Sequence, residues 1–114
     1  MIRKLITAAA LVAAFTLPVL AANEIEGNWT TQSGETAAIK PCGAAMCITL
    51  KTGKHAGKQI GSMSGENGRY RGTITDPADD KTYKGKASIK GSSMKMSGCV
   101  AAGLLCKTQT WARQ

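Results

Sequence analysis

Four cysteines stand in two close pairs, Cys42 with Cys47 and Cys99 with Cys106. Two chemistries suit such a set, a metal tetrad or two disulfides. The spacings C-x4-C and C-x6-C fit poorly with the shorter knuckles of zinc sites. In an oxidising compartment an even cysteine count reads as disulfides, and four cysteines allow three pairings. The local pairing is favoured because each bridge would tie a short hairpin or bulge. An unstrained bridge of this kind contributes roughly 2–3 kcal/mol.

Other residues that carry chemistry elsewhere lack partners here. His55, the single histidine, sits in the basic loop Lys54-His55-Ala56-Gly57-Lys58. A catalytic base needs an orienting partner and a nucleophile within reach, and the sequence marks neither, so it reads as a solvated loop residue. Asp76, Asp79 and Asp80 put three carboxylates in one segment. Calcium takes such oxygens, but Pro77 dictates a turn and no EF-hand spacing is present, so the carboxylates read as turn formers. Gly61-Ser62-Met63-Ser64-Gly65 is no nucleophile elbow, since Met63 holds the serine position. No catalytic set, cofactor motif or metal set emerges, and the chain reads as non-enzymatic.

Two further sets bear on binding. Trp29, close to one end, and Arg113, close to the other, would meet if the first and last strands pair, with the guanidinium over the indole. Such a contact is worth roughly 0.5–2 kcal/mol and would close a barrel. Arg69 and Arg71, with Lys84, Lys86 and Lys90, lie on one face of two successive segments. Merged, they make a basic wall suited to anionic lipid or polysaccharide. A nucleic-acid surface wants aromatics interleaved with the cations, whereas Tyr70 and Tyr83 fall on the opposite face; nucleic acid is not expected. Tyr70, Tyr83 and Trp111 are candidates to line an internal ligand cavity.

The elements that must position these residues follow a leader. Arg3 and Lys4 precede the apolar stretch Leu5 to Leu17, and Val19-Leu20-Ala21 offers small residues for a peptidase. A signal peptide over residues 1–21, cleaved after Ala21 or Ala22, is expected, which implies the periplasm and no membrane span in the mature chain. The chain totals 114 residues with net charge +8; two of its fifteen Lys and Arg fall in the leader, leaving thirteen against seven acidic residues, or +6. About 92 residues remain, room for one domain over 22–114 with a core so small that staples matter.

Turn residues recur through the mature chain and no helical repeat of apolar residues is visible, the pattern of an all-β protein. In Thr82–Lys90, Tyr83, Gly85, Ala87 and Ile89 alternate with lysines and hydroxyls, a strand with one wet face. Arg69–Thr75 alternates in the same way, and Asp76-Pro77-Ala78-Asp79-Asp80 turns the chain between them. Further strands are expected at 27–31, 36–40, 46–52, 59–64, 94–100 and 105–113. Residues 51–68 are the loosest stretch by composition. Eight short strands closed into an antiparallel up-and-down β-barrel would leave no edge exposed.

Gly27-Asn28-Trp29, Cys42 through Cys47, Asp76-Pro77-Ala78-Asp79-Asp80-Lys81-Thr82-Tyr83, Ser97-Gly98-Cys99 and Thr108-Gln109-Thr110-Trp111-Ala112-Arg113 resemble, in that order, the bacterial "domain of unknown function 2147" family. The resemblance spans essentially the whole mature chain. It implies export and a lipocalin-like (calycin) barrel, without implying an activity. The chain departs from the family pattern at Asp80, where Gly is usual, and in residues 53–61, which lack a longer segment with Asp-x-x-Asn-Pro. The favoured reading is a periplasmic barrel that binds a small ligand. The alternative is a filled barrel whose basic face contacts an anionic envelope component.

Overall fold

The computed structural model describes residues 24–114. The leader over residues 1–21 and its cleavage after Ala21 or Ala22 lie outside the described residues. Eight strands follow one another: β1 (Gly27–Thr30), β2 (Thr36–Cys42), β3 (Ala45–Leu50), β4 (Gln59–Glu66), β5 (Arg69–Asp76), β6 (Lys81–Lys90), β7 (Ser93–Val100) and β8 (Leu105–Arg113). Each pairs antiparallel with the next, and β8 returns to β1, closing an all-β up-and-down barrel. The strands are those expected from the alternation, within two residues at nearly every end.

Parity sets the two faces. Along β6, Gly85 and Ala87 are buried while Lys84, Lys86, Ser88 and Lys90 are exposed, because successive side chains leave a strand on opposite sides. A narrow barrel must coil its strands hard, and Gly72 shows where. It faces Met63 across the β4–β5 ladder, and a Cβ there would lie 1.9 Å from the Ser62 carbonyl oxygen. Only glycine lets the two backbones approach that closely. The β4–β5 turn is Asn67 (φ 55°) and Gly68 (φ 78°), the pair of left-handed residues a two-residue hairpin favours.

Both disulfides lie within single hairpins, Cys42–Cys47 on β2–β3 and Cys99–Cys106 on β7–β8. Cys99 and Cys106 are directly opposed across the ladder. The strand directions put the turns after β2, β4 and β6 at one end and those after β1, β3, β5 and β7 at the other, so each end carries one bridge.

The first end is closed. Ile25, Trp29, Ile39, Ile48, Met63 and Met94 are fully buried, and the Trp29 Nε1–H donates to the Ile25 carbonyl at 3.0 Å. The N-terminal residues thereby fold beneath the core. Closure of the ring itself is slight: β1 and β8 share two residue pairs, Trp29 with Arg113 and Thr30 with Ala112, whereas β5 and β6 share eight. Beyond them Thr110 N–H donates to the Gln32 side-chain oxygen at 3.0 Å.

Candidate functional site

The second end opens into a cavity of about 590 Å³. Leu50, Ile60, Ile74, Met96 and Trp111 form its apolar wall. They come from β3, β4, β5, β7 and β8, and Tyr83 adds a side chain from β6. Trp111 Nε1–H donates to Gln109 Oε1 at 3.0 Å, placing one satisfied polar group within that wall. Eight strands leave room for a small ligand when the inward side chains do not meet, and the glycine at position 98, which also lines the space, helps keep them apart.

The rim is polar. Glu35 Oε1 accepts hydrogen bonds from Ser33 Oγ at 2.5 Å and Thr31 Oγ1 at 3.1 Å. These bonds, Ser33 first and Thr31 second, hold the Glu35 carboxyl below the usual carboxylate range against an upward push from burial; His55 adds a smaller favourable charge. His55 itself is partly buried at the mouth. It is therefore not the free loop residue its basic surroundings indicate. Lys107 lies on the inward side of β8, opposite Gly98, and lines the same opening.

Of the aromatic residues predicted to line a cavity, Tyr83 and Trp111 do. Tyr70 lies elsewhere. It shares inward parity with Tyr83, but it is the second residue of β5, which starts at the closed end, while Tyr83 is near the start of β6 at the open end. Tyr70 is packed in the core at 3% exposure, and its buried hydroxyl has no hydrogen-bond partner.

At the closed end the Arg113 guanidinium sits 4.3 Å above the Trp29 ring centre. On the outer wall Arg71 stands directly opposite Lys86, and Arg69 opposite Ser88. Lys95, which the sequence reading leaves out, is opposite Ser88 on the other side. Lys84 continues the exposed row towards the open end and Lys90 towards the closed one. Adjacent cations of like sign cost stability in a ladder, so this wall is not there to strengthen the sheet.

The three aspartates serve their turn. Asp76 Oδ1 accepts from Ala78 N–H at 2.9 Å, Asp79 Oδ1 from Lys81 N–H at 3.1 Å, and Asp80 pairs with Lys58. Asp80 has φ 58°, a left-handed backbone that glycine adopts without a Cβ penalty. Among the described residues no group of three or more His, Cys, Asp or Glu is placed to hold a metal, and no helix is long and apolar enough to cross a membrane.

Leu50, Ile60, Met96, Glu35, His55 and Lys107 complete a site that sequence reasoning reached only through Tyr83 and Trp111. The available signal was topological: in a meander every second connection arrives at the same end. No curated protein and no solved structure matches the chain. A family model described as an uncharacterized protein conserved in bacteria, DUF2147, matches residues 49–113, which run from the end of β3 through β8 and include most of the cavity wall. With more than half its length matched, the chain belongs to the DUF2147 family.

Proposed function

We propose that the protein is a non-enzymatic periplasmic binding module that takes a small, largely apolar ligand through the open end of its barrel. The observation that carries this reading is the cavity of about 590 Å³ with an apolar wall and a few polar groups at its rim, the usual composition of a small-ligand site. Its volume falls in the range typical of such sites. Export, and with it the periplasm, rests on the leader pattern in the sequence.

The alternative, a filled barrel acting through its basic face, is favoured by the exposed row of Arg69, Arg71, Lys84 and Lys86. Its requirement of a filled interior is met in the closed half only.

The test is native mass spectrometry of oxidised protein extracted from the periplasm without refolding, joined to titration with the apolar dye N-phenyl-1-naphthylamine. A retained mass, or dye binding that falls at least tenfold in Met96→Trp, supports the module. A clean two-disulfide mass together with no dye binding overturns it.

A further inference from the structure

The only large hydrophobic side chains exposed among the described residues are Val100 (45%), Leu104 (83%) and Leu105 (65%). All three belong to one hairpin tip, the run Val100-Ala101-Ala102-Gly103-Leu104-Leu105, which contains no charged or hydrogen-bonding side chain. Every residue of the run is exposed.

The tip is shaped as well as apolar. Ala101 (φ 54°) and Ala102 (φ 57°) both hold left-handed backbone, which costs an alanine free energy. The Cys99–Cys106 bridge ties the two strands directly beneath the tip. Val100 and Leu105, paired across the ladder, also line the cavity mouth.

Charge flanks the apolar run on its β6 side. Lys84 is opposite Cys99 and Lys86 is opposite Ser97, so β6 carries cations to the base of the tip, and Lys107, inward on β8, adds one at the mouth. In the neighbouring β5–β6 turn Lys58 pairs with Asp80, while Asp76 and Asp79 accept hydrogen bonds from backbone N–H groups of the turn itself. Apolar side chains that project beyond lysines at their base suit one kind of surface. Acyl chains accept the leucines while anionic head groups neutralise the lysines.

We propose that the β7–β8 hairpin tip is a lipid-docking wedge that seats the mouth of the barrel on an anionic bilayer. A second copy of the chain is a poorer occupant, because it would bring its own lysines against these. The wedge does not depend on the cavity holding a ligand, so it stands or falls separately from the proposed function.

The experiment is co-sedimentation of oxidised, periplasmically extracted protein with vesicles of phosphatidylcholine, with and without about 30% phosphatidylglycerol. Binding to the anionic vesicles should exceed binding to the neutral ones at least tenfold and weaken as salt is raised, because exposed charges are screened. L104D/L105D should lose at least tenfold in binding while keeping its melting temperature, since both side chains are already in solvent. L104W should show a blue-shifted emission that brominated acyl chains quench. Failure to bind anionic vesicles, or L104D/L105D binding like the parent, overturns the wedge. So does a concentration-dependent dimer that L104D/L105D abolishes, which would assign the tip to a second copy.

Discussion

Arg113 caps Trp29: its guanidinium lies 4.3 Å from the indole centre, while its two terminal nitrogens donate to the carbonyls of Glu26 and Glu24 at 3.2 and 2.5 Å. One side chain thereby fastens the last strand, the first strand and the segment folded beneath the barrel. Lysine would keep the charge but not the planar fork that serves the ring and two carbonyls at once.

Arg113→Lys is therefore expected to lower stability by about 1 kcal/mol, and Trp29→Ala by about 3–5 kcal/mol because it also opens a core cavity. Thermal melting checks both, since about 1 kcal/mol moves the midpoint by roughly 4–8 °C in a domain of this size. Unchanged melting in Trp29→Ala would remove the ring from the core's support.

Tyr70→Phe should leave stability unchanged or raise it by about 1 kcal/mol. The phenol hydroxyl is buried without a partner, and such a group costs more than it returns. A marked loss in urea unfolding would instead mean that the hydroxyl has a partner in solution, such as an enclosed water.

Eight strands and their inward faces were legible because alternation is a local property, read two residues at a time. Height along the barrel is not local. Tyr70 and Tyr83 have the same parity, yet β5 and β6 run in opposite directions and the two lie four ladder positions apart, so one ends in the core and the other at the mouth. Glu35, His55 and Lys107 come from three separate connections or strands, and only closure of the ring gathers them. Polar residues on the inner side of β8, Lys107 and Gln109, also hide that strand's face from a reading that looks for apolar alternation.

Glu35 gives the mouth a pH dependence. Its folded-state pKa is below the unfolded one because of the Ser33 and Thr31 hydroxyls. Its contribution is then complete above the unfolded value and disappears as pH falls through the folded one. The melting temperature of the parent should drop more steeply than that of Glu35→Gln across the acidic range below the ordinary carboxylate value, and the two curves should converge at the lowest pH. Parallel curves would show that the hydroxyl bonds do not favour the ionised form.

Ala102→Gly should stabilise the protein by about 0.5–1 kcal/mol. Glycine takes φ 57° without the clash that alanine suffers, though it also frees the unfolded chain and returns part of the gain. Urea unfolding of the oxidised protein measures it, and a loss of stability would mean that the methyl group is packed at the tip.

The narrow seam between β1 and β8 also orders events in time. Every other ladder joins neighbours in sequence, so seven hairpins can zip as soon as their residues are available, at little cost in loop closure. The ring alone must wait for Ala112 and Arg113, the last paired residues of the barrel to be synthesised. Until then the chain is an open, curling sheet with two free edges, and the step that commits it to a barrel rests on its final strand.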